Sequence, residues 1–215
     1  MSAQKNRVTR TVVALLVFIA LITGVFVSHQ YHSKKKIDLN NFNGTFLEKP
    51  REVNQFSLTG IDTKPFDNES LKGQWTMIFF GFTNCGFVCP TAMAELAKMY
   101  RILEEKKVNP LPRVVMISID PERDNEDKLK SYVTAFDSHF YGARGNEEVV
   151  RAMTKEMGIA YTKIALSPSE SGETYDMQHS GAIMLFNPRG ELNAFFTTPH
   201  QATLLAKDYR LLVSN

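Results

Sequence analysis

Apolar positions are unevenly distributed along this chain, and three patterns follow one another. The first is a run with no polar face. No Asp, Glu, Lys or Arg lies between Arg10 and Lys34, and residues 11–28 are almost wholly apolar. At ~1.5 Å per residue, roughly 18–23 helical residues span about 27–34 Å, the thickness of a hydrocarbon core. The pattern predicts a membrane-spanning anchor at 11–28. A tail at 1–10 precedes it and a polar, Lys-rich linker at 29–41 follows. The run exceeds the roughly 7–15 apolar residues of a signal peptide, and Val25-Phe26-Val27-Ser28-His29 offers no small-x-small cleavage site.

The second pattern is loose alternation from Phe42 to Phe66 (Phe46, Val53, Phe56, Leu58, Ile61). It predicts short strands, with a hairpin-type turn at Asn43-Gly44 and turns at Lys49-Pro50 and Thr59-Gly60. The third alternates buried runs with helical periodicity. Trp75–Phe82 and Arg113–Ile119 are near-continuous apolar runs, as in strands covered on both faces. Between them, Met93, Leu96, Ala97, Tyr100 and Leu103 have helical spacing, and Pro90 suits a first helical turn. Helices are also predicted at Asn125–Phe136, Asn146–Met157 and Gln201–Val213. A short strand is predicted at Phe140–Gly145, and a hairpin from Ala182–Phe186 and Glu191–Phe196 around Asn187-Pro188-Arg189-Gly190. Ile159–Leu166 alternates weakly, Ser167–Thr174 is a polar insert, and Tyr175–Ser180 is read as a loop.

The order is thus two strands, βαβα, a short strand, a helix, a β-hairpin and a closing helix. A βαβ unit sets two parallel strands side by side through a right-handed crossover. Adding an antiparallel hairpin gives an α/β domain of thioredoxin type at 42–215: a central mixed sheet flanked by helices, with an N-terminal strand or hairpin extension.

Charge locates the domain rather than suggesting a ligand. The net charge is +2, but residues 1–36 hold six bases and no acid, so the remainder is net −4. The bases flank the apolar run and form no basic face for nucleic acid. The short tail is the easier end to leave in the cytoplasm. The expectation is a single-pass protein of a bacterial inner membrane with its domain in the periplasm.

Only two cysteines occur, Cys85 and Cys89, at the predicted strand-to-helix turn. Ligand sites of α/β sheets favour that edge. A helix N-terminus lowers a thiol pKa, and residues i and i+4 share a helix face. The pair is therefore a redox couple or a claw for a soft metal such as Cu(I), Zn or Fe–S. Two sulfurs make a poor closed site, so a third donor is sought among five histidines. His29 and His32 lie in the linker, and His139 and His200 flank helices as surface or capping residues. His179 precedes the strand Ala182–Phe186, in a loop that faces the cysteine turn in this architecture. A Cys85–Cys89–His179 set suits copper in either oxidation state. Asp120 can orient a ligand or hold the loop. Met177 is a soft donor two residues from His179, but with nine methionines in the chain, core filling is its default role.

The residues Phe80-Gly81-Phe82-Thr83-x-Cys85-x-x-Val88-Cys89-Pro90, then Asp120-Pro121-Glu122-Arg123-Asp124, then His179-Ser180, behind an anchor, resemble the Sco/SenC family. That resemblance implies a thioredoxin-like fold and one copper held by Cys85, Cys89 and His179. It implies delivery of that copper in assembly of the binuclear copper site of cytochrome c oxidase. The implied partners are the copper-accepting oxidase subunit and a periplasmic thiol reductant or another copper chaperone. An alternative role is a thiol–disulfide oxidoreductase that uses Cys85 and Cys89 to reduce the subunit's cysteines. A third is a redox or copper sensor. One departure stands out: where the family places Pro-Asp after the first cysteine, this chain has Gly86-Phe87.

Overall fold

A computed structural model describes residues 15–24, 41–166 and 175–213 of the chain. It divides into one unit within Met1–Ile37 and another at Asp38–Ser214. In the first unit, residues 15–24 form helix α1. Leu15, Leu16, Val17, Phe18, Ile19, Leu21 and Ile22 are each 54–62% exposed, so no face of this helix is covered. Among the described residues no helix is long and apolar enough to cross a membrane. The expected anchor at 11–28 is thus described only at 15–24; its remainder, the tail, linker residues 29–40 with His29 and His32, and 167–174 lie outside the described residues.

The second unit is built on an eight-stranded mixed sheet. Its strands are β1 (Thr45–Arg51), β2 (Ser57–Gly60), β3 (Pro65–Asp67), β4 (Thr76–Gly81), β5 (Arg113–Ser118), β6 (Tyr141–Arg144), β9 (Ile183–Phe186) and β10 (Leu192–Phe196). Their order is β1-β10-β9-β4-β5-β6-β2-β3. The β4–β5 and β5–β6 pairs are parallel, and β9 joins β4 antiparallel. Every residue of β4 is buried, which is why its sequence reads as a continuous apolar run. Helices α2 (Val88–Glu105), α3 (Glu126–Phe136), α4 (Glu147–Glu156) and α5 (Ala202–Val213) complete the unit. Buried Cys89, Ala92, Met93, Leu96, Tyr100 and Leu103 make the inner face of α2, which packs against α5 and α3. The Asn125 and Asn146 side chains cap α3 and α4 by accepting from the Lys128 and Val149 N–H groups. Trp75, at the entry to β4, stands edge-on to Tyr209 of α5.

Four local expectations are corrected. Asn43-Gly44 is not a hairpin turn. The buried Asp208 carboxylate accepts from the Asn43 N–H and Nδ2 and from the Gly44 N–H, pinning the start of β1 to α5. A Cβ on Gly44 would meet the Phe196 ring at 2.5 Å, so the glycine serves a close approach. Lys49-Pro50 does not turn either, because β1 runs through it at a sheet edge, where a proline's missing N–H leaves no ladder partner unpaired. Thr59 and Gly60 belong to β2, and the turn follows them, closed by the Gly60 N–H donating to the Lys64 carbonyl. Tyr175–Ser180 is mostly not loop. β7 (Tyr161–Ala165) and β8 (Tyr175–His179) form a separate antiparallel ribbon, in which Tyr161 faces His179. Its exposed outer positions gave too little apolar alternation to mark β8 as a strand.

Candidate metal centre

Three elements meet at the carboxyl end of β4. The loop after that strand carries Cys85, the first turn of α2 carries Cys89, and β8 ends on His179. The Cys85 Sγ, the Cys89 Sγ and a nitrogen of His179 all lie within 4.8 Å of one another. The His179 Nε2 is 3.2 Å from the Cys89 sulfur, and its Nδ1 is 3.0 Å from the Ser180 carbonyl. A carbonyl only accepts, so Nδ1 carries the hydrogen and Nε2 presents its lone pair to the sulfurs. Phe79 and Phe82 stand edge-on to the imidazole at 6.0 and 5.8 Å and fix its plane.

The two thiols are unequal. Cys89 is fully buried and Cys85 half-buried. Hydrogen bonding from Cys89, from its thiol first and also from its backbone N–H, holds the Cys85 thiol down at about 3 against the opposing effect of burial. Burial first, and then the adjacent Cys85, pushes the Cys89 thiol far up. The resting pair is therefore a Cys85 thiolate beside a Cys89 thiol. Alkylation of Cys85 by iodoacetamide should keep a near-constant rate from about pH 8 to about pH 5 and fall only towards about pH 3. An unconstrained thiol fades below about 8.5. A depressed folded-state pKa adds stability that is complete above the unfolded value and is lost as pH falls through the folded one. The urea midpoint should therefore decline with acid across the same interval. A rate that already collapses between pH 8 and 7 would refute the thiolate assignment.

Two buried carboxylates fasten the site. Asp124 accepts from the Thr83 N–H at 3.2 Å, from the Thr83 hydroxyl, and from the Ser118 hydroxyl at 2.7 Å. It thereby ties the cysteine loop to β5. Asp120 accepts from the Tyr175 hydroxyl at 2.7 Å and from the Arg123 Nε at 2.5 Å. The Arg123 guanidinium also donates to the Tyr175 carbonyl at 3.0 Å and stacks 3.9 Å over its ring. The segment Asp120–Asp124 thus holds the cysteine loop with one carboxylate and the ribbon that carries His179 with the other. Asp120 serves by holding β8. Asp124, Thr83, Ser118 and Tyr175 are contributors that sequence reasoning did not single out, although Asp124 lies inside the motif Asp-Pro-Glu-Arg-Asp.

The other candidates lie elsewhere or have other partners. His139 stacks on Tyr100 and pairs with Asp137, His200 donates from Nε2 to the Gly181 carbonyl, and Met177 is buried in β8. Two sulfurs and one imidazole are a soft, three-coordinate donor set. Bond lengths of about 2.0–2.3 Å place such donors roughly 3.5–4 Å apart, so the cluster fits one ion after a small contraction.

Residues 45–214 match the SCO1/SenC family model. The chain belongs to the SCO1/SenC family. It is 31% identical over 180 residues to the human mitochondrial SCO1 homolog, covering 81% of this chain and 58% of that protein. Among solved structures, copper-bound ScoI of Bradyrhizobium japonicum is similar at a TM-score of 0.62 and 30% identity, over 73% of this chain and 96% of that one. Copper-bound ScoI of Arabidopsis thaliana is similar at 0.67 and 27%, over 75% and 98%. The thioredoxin-like mixed α/β domain is the fold of these SCO1/SenC structures.

Proposed function

We propose that this protein is a membrane-anchored copper chaperone. It holds one copper through Cys85, Cys89 and His179 and passes it to the copper-accepting subunit during assembly of the binuclear copper site of cytochrome c oxidase. The convergence of the three donors carries this reading. Copper-bound SCO1/SenC relatives support it.

Copper is cargo here, and the residues divide the work of holding and releasing it. Cys85 offers a ready thiolate from a half-buried position where a partner can reach it. Cys89 must lose its proton for the ion to be held by both sulfurs, so binding releases a proton and tightens as pH rises. The Ser180 carbonyl keeps the His179 Nε2 turned inward. Soft thiolates favour Cu(I), and the imidazole extends the site to Cu(II).

The wholly exposed apolar surface of α1 supports an anchor at 11–28, with residues 1–10 cytoplasmic, a linker at 29–41 and the domain at 42–215 in the periplasm of a bacterial inner membrane. Another copper chaperone or a thiol reductant would complete the set of partners. In the test, the full chain in detergent is loaded with one Cu(I) and mixed with the reduced, copper-free oxidase subunit, and each protein is weighed by native mass spectrometry. Copper should move to the subunit. Retention of all copper by the chain rejects the delivery role.

The cysteine asymmetry also favours a second reading, a thiol–disulfide oxidoreductase. An accessible thiolate attacks one sulfur of a partner disulfide, and the buried thiol then resolves the mixed disulfide. Two electrons and the Cys89 proton pass to the partner, whose second thiol takes its proton from water, and the Cys85–Cys89 disulfide remains. That activity should survive His179→Ala and vanish in Cys85→Ser.

A further inference from the structure

Beside the donor cluster lies an open groove of about 540 Å³ between the start of α2 and the segments 179–182 and 197–200. Phe87, Val88 and Ala92 of the α2 start line it together with Pro199, His200 and the metal-donor candidate His179. None of the lining residues is Asp, Glu, Lys or Arg. Glu122, Arg123, Lys128 and Lys163, in the segments that hold the site, are tied into ion pairs and hydrogen bonds, and none of them lines the groove.

Phe87 lines the groove next to the first turn of α2. It is 77% exposed, against 43% for Ile164 and for Leu166. An aromatic ring left this open beside an apolar groove has the character of an interface anchor. Gly86 next to it has nothing within 4 Å of where a Cβ would be, so a partner's backbone can come close to Cys85.

We infer that this groove docks an uncharged, apolar loop of the protein that exchanges copper with this chain, with Phe87 as the anchor. The inference rests on the chaperone reading and adds to it the face and the chemistry of the encounter. Two observations select this occupant. A charged side chain entering the groove would lose its hydration and meet no counter-charge, so electrostatic matching requires an uncharged segment. His179 lines the groove, so a loop lying in it passes beside one of the ion's donors. The point of chain entry agrees. A small polar pocket containing Asn43 and Asp208 shares Thr197, Pro199 and His200 with the groove, so the chain joins the domain at the groove's edge. Linker residues 29–40 reach at most roughly 40 Å when extended, so a partner held in the same membrane is within range of that edge.

The experiment compares wild-type full chain, Phe87→Ser, and Thr197→Glu, which puts a charge in the groove's lining. Each is loaded with one Cu(I) and mixed in stopped flow with the copper-free oxidase subunit. Both variants should transfer copper about tenfold more slowly or worse, the loss typical of an interface anchor. Their Cu(I) affinity, and their rate of copper loss to a small chelator that needs no docking, should stay within about twofold of wild type. Transfer at the wild-type rate by both variants overturns the docking surface and leaves the chaperone reading standing. A wild-type chain that delivers no copper overturns both. A wild-type dimer that Phe87→Ser converts to monomer in light scattering assigns the groove to a second copy, and overturns the inference in that way.

Discussion

Serine at Cys85 or Cys89 is expected to lower Cu(I) affinity by at least about a hundredfold, and alanine at His179 by about tenfold to a hundredfold. The order follows from the donors. Cu(I) is soft, so exchanging a thiolate for a hydroxyl removes the type of bond it prefers. Losing the imidazole leaves both sulfurs, which hold Cu(I) as a two-coordinate ion. Cu(II) depends more on nitrogen, so His179→Ala should weaken it further and change the sulfur-to-copper absorption of the Cu(II) form. The geometry makes His179 specific: its Nε2 lies 3.2 Å from the Cys89 sulfur, while the Ser180 carbonyl holds its other nitrogen. Competition against a coloured Cu(I) chelator measures all three variants. Unchanged affinity in a double Cys85→Ser, Cys89→Ser chain would eliminate the claw altogether.

Asp124→Ala should be the most damaging change outside the donors. The carboxylate is 1% exposed and accepts from the Thr83 N–H, the Thr83 hydroxyl and the Ser118 hydroxyl. Alanine takes the acceptor from the buried Ser118 hydroxyl and from the Thr83 N–H, and leaves the Thr83 hydroxyl only its longer contact with the Asn84 Oδ1. Breaking a buried charged network of this kind costs about 3–5 kcal/mol. In a domain of this size that corresponds to a fall in Tm of roughly 10 °C. Because Thr83 begins the loop that carries Cys85, copper affinity should fall as well. Asp124→Asn keeps the shape and one acceptor oxygen, and should lose less than half as much stability. A denaturant midpoint within error of wild type for Asp124→Ala would show that the loop is held by other means.

The double role of Asp120–Asp124 explains why part of the site was hard to read. The sequence marks Asp120 as lying at the cysteine edge of the sheet, because a strand ends there. It gives no sign that one carboxylate of the segment turns to Thr83 while the other reaches Tyr175, 55 residues away in the chain. Asn43-Gly44 illustrates the same limit. As a dipeptide it signals a hairpin, and only the position of Asp208, 165 residues further on, shows that its N–H groups are already engaged. β8 escaped notice because its ribbon leaves most side chains exposed, and apolar alternation records burial, not pairing.

What the sequence determined by itself is what depends on neighbours along the chain. Continuous apolar runs identify β4 and β5, helical spacing identifies α2, and the asparagine caps mark where α3 and α4 begin. Cys85 and Cys89 are four apart at a strand-to-helix turn, so local geometry suffices to turn both sulfurs one way. The tertiary structure decided what depends on distant parts meeting. It placed His179, 90 residues from Cys89, against that sulfur, and gave His139 and His200 other partners. It buried Cys89 and set its hydrogen-bond donors against the half-buried Cys85, which makes Cys89 a thiol and Cys85 a thiolate. Spacing in the chain sets the donors available; burial and long-range hydrogen bonds set their protonation and which of them meet.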